Sequence, residues 1–301
     1  MNAVTGAFGY SGKYITRRLI AAGETVITLT GHPDRANEFG AEVKAFPFDF
    51  DHFETMAQAL SGVRVLYNTY WVRFDKGDTT HERAVKNTIA LIRAAQMAGV
   101  ERIVHISIAN PTARPDLPYF RGKTQLEEAI RATKMSHAII RPTVIFGAED
   151  ILINNIAFLL RKLPAFLVPG NGQYRIQPVY VEDVARIAVE MGGRTDNVTL
   201  DAVGPETFRY EDLVRLIAKA VGSRALILHG PPWIALAGAW AMGLLLHDVM
   251  LTRDELDGLM GNLLVSNEIP TGTTKLSEWI ATNADTLGKR YAQEIGRHYR
   301  R

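Results

Sequence analysis

Tyr119 and Lys123 stand four residues apart, a spacing that puts them side by side on one face of a helix. A phenol with an ordinary pKa near 10 is a poor acid or base at neutral pH, and a neighbouring ammonium favours the phenolate and brings that value down. The pair can then exchange a proton with an oxygen of a bound molecule. Ser107 comes 12 residues before Tyr119 and offers a hydroxyl to hydrogen-bond the same oxygen. Each also has an ordinary reading: Tyr119 as a partly buried helix residue, Lys123 as its solvated neighbour, Ser107 as a strand-end hydroxyl. Only the address of the three in the fold separates the readings.

That address follows from the elements around them. Arg102 to Ser107 (RIVHIS) reads as a strand, Ile108 to Pro118 as a loop with three prolines, and Tyr119 to Thr133 as a helix. Ser107 therefore falls at the carboxyl end of a strand and Tyr119 opens the next helix. The alternation begins at Thr5-Gly-Ala-Phe-Gly-Tyr-Ser-Gly-Lys13, which leads into the helical run Tyr14 to Ala22. Gly6, Gly9 and Gly12 let the chain turn tightly, bring bare backbone against a phosphate and pack the next helix closely. A dinucleotide pyrophosphate would sit at that helix N-terminus, where N–H groups and the positive dipole end favour an anion. Only Met1 to Val4 precede the loop, a short first strand from which a few natural residues are expected to be missing.

Further strands are predicted at Thr25 to Thr30, Val43 to Phe46, Val63 to Tyr67 and His137 to Arg141, with helices at Phe53 to Leu60 and Thr79 to Gly99. Six strands alternating with helices predict an α/β fold: a Rossmann-type doubly wound parallel sheet with its ligand at the carboxyl ends of the strands. An acid beyond the second strand usually holds the ribose 2′-hydroxyl. Here the strand tip is Thr30-Gly31-His32, with no carboxylate until Asp34 and with Arg35 just beyond. Cations without the acid suit a 2′-phosphate, which predicts NADP, with NAD the alternative; the plainer reading makes His32 and Arg35 solvated turn residues. Asp49 lies where a strand tip would meet adenine, or caps the next helix, a task for which Asp51 is the better placed. The fourth strand runs into Asn68-Thr-Tyr-Trp-Val72, an aromatic segment expected on the nicotinamide side. The candidate cofactor contacts are thus Thr5, Gly6, Phe8, Gly9, Tyr10, Ser11, Gly12, Thr30, His32, Arg35, Asp49, Asn68, Lys123 and Pro142.

The regular alternation stops after Pro142. Residues 1–147 are expected to form the nucleotide-binding domain, its sheet completed by 176–204. Residues 148–175 and 205–301 then form a smaller, mainly helical C-terminal lobe for the substrate. Trp233 to Leu246 (WIALAGAWAMGLLL) is the most apolar stretch in the chain. It reads as a core helix, an oligomer contact or a greasy substrate wall, or as a weak membrane-surface contact. A formal charge of +2, from 34 basic against 32 acidic residues, gives no reason to expect nucleic acid, although the tail at 297–301 is locally basic. The absence of cysteine removes disulfides and thiolate chemistry and fits a reducing compartment. No charged segment followed by an apolar core opens the chain, which predicts a cytoplasmic protein. His105 reads as a core histidine and His81 as a helix-surface residue. No histidines and carboxylates show metal-ligand spacing, so no metal is expected.

Taken in order, the glycine loop, Asp49, Ser107, Tyr119-x-x-x-Lys123, the Arg141-Pro-Thr-Val-Ile-Phe-Gly147 exit and Pro178-Val-Tyr-Val-Glu-Asp183 resemble the short-chain dehydrogenase/reductase superfamily. The likeness covers residues 1 to about 222 and is strongest to the extended or atypical branch, which includes NmrA-like regulators and the 39 kDa subunit of respiratory complex I. It implies that the glycines bind pyrophosphate, that Asp49 meets adenine, that Ser107, Tyr119 and Lys123 are catalytic, and that Arg141-Pro142 borders the nicotinamide. The function implied is an NADP(H)-dependent oxidoreductase acting on a carbonyl or alcohol of a small substrate. Trp71, Phe74 and the 233–246 segment suggest that this substrate is apolar. Two alternatives stand beside it, a non-catalytic NAD(P)-binding sensor or assembly protein, and a sugar-nucleotide epimerase or dehydratase.

Overall fold

The computed structural model describes residues 1–298; the last three positions of the basic tail lie outside them. The first part of the chain alternates strand and helix: β1 (Asn2–Thr5), α1 (Tyr10–Ala21), β2 (Val26–Thr30), β3 (Lys44–Pro47), α2 (Phe53–Ala59), β4 (Val65–Asn68), α3 (His81–Met97), β5 (Arg102–Ile106), α4 (Pro118–Arg131) and β6 (Ser136–Pro142). Shorter pieces follow: β7 (Ile145–Phe146), α5 (Leu152–Lys162), β8 (Ala165–Pro169), β9 (Arg175–Ile176), β10 (Val179–Tyr180), α6 (Val181–Gly192) and β11 (Val198–Ala202). The chain then runs through β12 (Phe208–Arg209), α7 (Tyr210–Ala220), β13 (Leu226–Gly230), α8 (Pro232–Leu246), α9 (Arg253–Met260), α10 (Leu276–Asn283) and α11 (Ile295–His298).

Two compact units result. The first joins Met1–Pro142 to Val181–Ala202 and contains a seven-stranded sheet in the order β11-β6-β5-β4-β1-β2-β3. Every pairing in it is parallel, the arrangement of a doubly wound Rossmann-like α/β fold. Strand order reverses between β1 and β4, so ligands belong at their carboxyl ends. The central strands are short and buried on both faces, which is why they read as apolar or β-branched runs without alternation. Ala3, Ile27, Leu29, Leu66, Ile103 and Ile139 turn one face into a single core with Met56 of α2, Leu60 just after it, Leu91 of α3 and Ile130 of α4. On α1, α6 packs instead.

Of the stretch 176–204, only Val198–Ala202 joins this sheet, beside β6. Val179–Tyr180 pairs with β7 in the second unit, because the chain after Pro142 has already left the sheet. Arg102 closes the far end of β5: buried, it donates to the carbonyls of Met191 (2.7 Å) and Asp196 (3.0 Å) and to Ser136 Oγ (3.1 Å). These bonds fasten the end of α6 and the start of β11 to the sheet.

The second unit, Thr143–Tyr180 with the chain from Val203 on, is smaller and mainly helical, with three two-stranded pairs. In α7 the apolar residues Tyr210, Leu213, Val214 and Ile217 recur at helical spacing and are buried with Ile153, Ile156 and Leu160 of α5 and Ile280 of α10. Arg161 ties these helices together, donating to the carbonyls of Leu287 (2.8 Å), Ala284 (2.6 Å) and Val221 (3.3 Å). The core-helix reading of 233–246 is overturned. Within α8 only Gly243 is buried, since one side of the helix covers the unit next to β8 and the other is bare.

Packing in the first unit leaves no slack where α6 ends. A Cβ added at Gly192 would fall on Tyr67 Oη and lie 3.0 Å from Cε1, and Tyr67 is fully enclosed. Gly192→Ala should cost about 1–3 kcal/mol through overpacking and lower the thermal midpoint by several degrees; an unchanged midpoint in a thermal melt would contradict this packing.

Candidate functional site

The glycine loop leaves β1 at its carboxyl end. Gly6 has φ +62°, the left-handed region that costs glycine nothing, and its amide donates to Leu29 O at 2.9 Å. Gly9 donates back to Gly6 O at 2.8 Å and forms the N-cap of α1, which has no side-chain cap and no acid in its first turn. A Cβ at Gly9 would sit 3.1 Å from Gly6 O, and one at Gly12 would fall on that oxygen. The loop is thus a cradle of backbone at an uncapped helix N-terminus of three turns, which fits a pyrophosphate. Phe8, half-buried, stacks on Phe39 at 6.5 Å, and Tyr10 meets Tyr14 edge-on at 6.0 Å. Ser11 is half-buried in the first turn.

Several predicted contacts serve the scaffold. Thr5 is fully buried; its hydroxyl accepts from the amides of Thr69 (2.8 Å) and Tyr70 (3.1 Å) and donates to Asn68 Oδ1 (3.1 Å). Thr69 Oγ1 returns a bond to Thr5 O at 2.6 Å. Asn68, also buried, uses its amide nitrogen on His105 Nδ1 at 3.0 Å. Together they lock the tips of β1 and β4 at the point where strand order reverses, with both side chains bonded into the scaffold. His105 is the core histidine expected, and burial first, then the Lys123 charge, pushes its imidazole well below the ordinary value. Thr30 Oγ1 accepts from the His32 amide at 3.2 Å, while His32 and Arg35 stay at the surface. Asp49 accepts from His52 N at 3.0 Å and faces His52 Nδ1 at 3.1 Å. It is Asp49, then, that makes the turn bond ahead of α2, not Asp51. Pro142 ends β6, buried, with its carbonyl accepting from Ala109 N at 2.9 Å.

The three proton-handling candidates gather around α4, whose first turn takes Pro118 at N1. Lys123 is buried there; its Nζ donates to Ile106 O at 2.9 Å and stands 4.5 Å above the Trp71 ring. Burial pushes this ammonium down to about 7, with Glu127 opposing. Its alternative reading as a solvated neighbour therefore fails. Tyr119 meets Trp71 and His81 edge-on, both at 5.6 Å, and Trp71 and His81 are 5.8 Å apart. The three rings enclose one another. Gly122 makes room for Trp71, since a Cβ there would come within 2.7 Å of Trp71 Cη2. His81 was expected on a helix surface; it is buried, because Asp75 Oδ1 takes both its amide (2.7 Å) and its Nδ1 (2.8 Å) and turns the ring inward.

Ser107 is where the structure departs most from expectation. Its hydroxyl donates to Glu127 Oε1 at 2.6 Å, both side chains being buried. Glu127 is held by Arg141 from β6 at 2.9 and 2.5 Å and by Arg131 at 2.9 Å. Burial raises the Glu127 carboxyl, but the bonds from Arg141, Ser107 and Arg131 outweigh it and hold the group below the ordinary range. The one proton Ser107 can donate is thus committed to a carboxylate, and its oxygen faces other groups as an acceptor. Sequence reasoning missed Glu127, although a signal was there. Tyr119-x-x-x-Lys123-x-x-x-Glu127 continues one helical face, and an acid on a face that must be buried calls for partners. Among the described residues no group of three or more His, Cys, Asp or Glu side chains comes together to hold a metal.

The family described as NAD(P)H-binding matches residues 6–153. The 40 kDa subunit of NADH-ubiquinone oxidoreductase from Neurospora crassa is 23% identical over 89% of this chain and 72% of its own length. Subunit 9 of the NADH dehydrogenase 1 alpha subcomplex from Arabidopsis thaliana is 27% identical over 71% of this chain. The alignment covers 56% of that relative, so the chain spans little more than half of it. Among solved structures, an NADPH-dependent quinone oxidoreductase from Escherichia coli complexed with NADPH superposes with TM-score 0.76, at 19% identity, over 94% of this chain and 99% of the other. At that identity the likeness is one of fold.

The buried Lys123 gives a test in solution. Its pKa is about 7 in the fold against roughly 10.4 when unfolded, so between those values the unfolded chain binds more protons and stability rises with pH. Lys123→Met, similar in shape and never charged, should melt several degrees above the wild type at pH 6. That advantage should shrink toward pH 10. A difference that stays constant across this range in paired thermal melts would contradict a depressed Lys123.

Proposed function

We propose that this chain, a member of the extended, atypical branch of the short-chain dehydrogenase/reductase superfamily, is an NADP(H)-dependent oxidoreductase acting on the carbonyl or secondary alcohol of a small apolar substrate. The observation that carries the reading is Tyr119 and Lys123 on the first turns of α4, which starts at the carboxyl edge of the sheet that carries the glycine cradle. A buried lysine tuned to neutral pH beside a tyrosine is an arrangement typical of functional sites. NADP is favoured over NAD by the strand tip Thr30-Gly31-His32, which lacks a ribose-binding acid and has Arg35 just beyond.

When bound, the nicotinamide supplies or takes the hydride. Gly6, Gly9 and Gly12 would hold the pyrophosphate on backbone N–H groups, and His32 and Arg35 the 2′-phosphate. Tyr119 exchanges the proton with the substrate oxygen, and Lys123 in its charged form favours the phenolate. Ser107 donates its one proton to Glu127 in the resting geometry, so to hydrogen-bond the substrate oxygen, in either direction of the reaction, it must first turn that proton away from Glu127. Phe74 is packed away under Arg73, which leaves Trp71 as the apolar wall of this unit.

A second reading has a specific observation of its own. A Ser107 pinned by a carboxylate that two arginines grip is poorly placed for turnover, and it fits a protein that binds a dinucleotide as a sensor or assembly factor. The relatives named as respiratory subunits agree with it. NADPH oxidation over a panel of ketones, aldehydes and quinones separates the two. The enzyme reading expects turnover that Tyr119→Phe lowers by about 100-fold or more while NADPH affinity changes less than about two-fold. Retained NADPH binding with no turnover on any panel member would overturn it in favour of the second reading.

A further inference from the structure

The most apolar stretch of the chain is also among the least covered. Along α8 the exposed positions fall in pairs, 233 and 234, 237 and 238, 240 and 241, 244 and 245, a helical spacing that gathers them on one face. Trp233 is 67% exposed, Trp240 69% and Leu245 71%, with Ile234 and Leu244 open beside them. On β13, just before the helix, Leu226 and Leu228 are also exposed. On the one face of α8, five large side chains at such exposures leave on the order of 600 Å² of apolar surface bare, the upper end of the 300–600 Å² of the largest patch on a typical monomer.

The chemistry of this face selects its occupant. From Ala225 to Thr252 the sequence contains neither Lys nor Arg and a single acid, Asp248. Asp248 is buried and accepts from Tyr291 Oη (3.0 Å) and the amides of Glu294 (2.7 Å) and Ile295 (3.0 Å). The exposed side of α8 therefore offers no side-chain hydrogen-bonding group except its two indole N–H donors. A protein interface of this size would carry several direct hydrogen bonds and a polar rim, whereas hydrocarbon requires none. Tryptophan rings favour the boundary between water and acyl chains, where one edge stays wet. At 15 residues the helix is about 22 Å long, and among the described residues no helix is long and apolar enough to cross a membrane.

We propose that α8 lies flat in a lipid surface, Trp233, Trp240, Leu244 and Leu245 seated among the upper acyl chains, with the rest of the second unit taking the place of the polar face that an isolated interfacial helix needs. The attachment is apolar, so it does not depend on headgroup charge. A second copy of the chain is the competing occupant.

Flotation of the purified chain on a sucrose gradient decides between them. Vesicles of phosphatidylcholine alone, and of phosphatidylcholine with phosphatidylglycerol, should both carry the wild type upward to within about two-fold, in low or high salt. Tryptophan emission should shift to the blue on binding. Trp240→Glu with Leu244→Glu should reduce flotation at least tenfold with an unchanged circular dichroism spectrum; Ile234→Ser with Leu245→Ser gives the same test if the first pair fails to fold. The proposal is overturned if the wild type stays at the bottom with both vesicles, if salt abolishes flotation, or if sedimentation shows a dimer that either variant pair dissolves and that does not float.

Discussion

A side chain at Gly12 would occupy the same space as the carbonyl oxygen of Gly6, and the rest of the first unit depends on that close approach. It allows α1 to start directly above the end of β1, with Gly9 as a bare N-cap, and so aims a helix N-terminus at whatever sits beyond the sheet. The approach is held from below. Thr5 and Asn68 bind the tips of β1 and β4 to each other, and Ala7 N donates to Thr28 Oγ1 at 3.1 Å on the other side. A rigid floor of buried hydrogen bonds lets a loop of three glycines keep one shape, despite the conformational freedom glycine brings.

A second buried network organises the opposite half of the site. Glu127, Arg131 and Arg141 place two cations on one carboxylate, and burying that charge is tolerable only because its oxygens are so fully bonded. Ser107 belongs to this network through its proton. Lys123, one turn earlier, has no such partner; it satisfies itself on a backbone carbonyl and the face of Trp71. Two neighbouring ionisable groups on one helix thus move in opposite senses, the acid held ionised and the lysine pushed toward neutrality. Burial acts on both, and the number of charged bonds decides the outcome.

Much of this fold was legible in the sequence, for physical reasons. Parallel strands buried on both faces cannot alternate, so the runs at Thr25–Thr30 and Arg102–Ser107 declare themselves, and glycines at a turn that excludes Cβ atoms have few substitutes. Tyr119 and Lys123 could be placed on one face because helical periodicity is local. What could not be read was the partner each polar group would find across the sheet. The proton of Ser107 goes to Glu127, 20 residues on, and the ring of His81 turns inward on the strength of Asp75. Asp49 rather than Asp51 makes the turn bond. The stretch at 233–246 misled for a different reason, since a helix apolar all round reads as core whether or not the unit has enough surface to cover it.

We propose that the Gly6–Gly12 cradle holds a dinucleotide with a 2′-phosphate, and calorimetric titration of NADPH and NADH into the wild type and Gly12→Ala tests this most directly. The wild type should bind NADPH at least tenfold tighter than NADH, and a folded Gly12→Ala should bind neither. A wild type that takes up neither nucleotide, or a Gly12→Ala that binds as the wild type does, would contradict it.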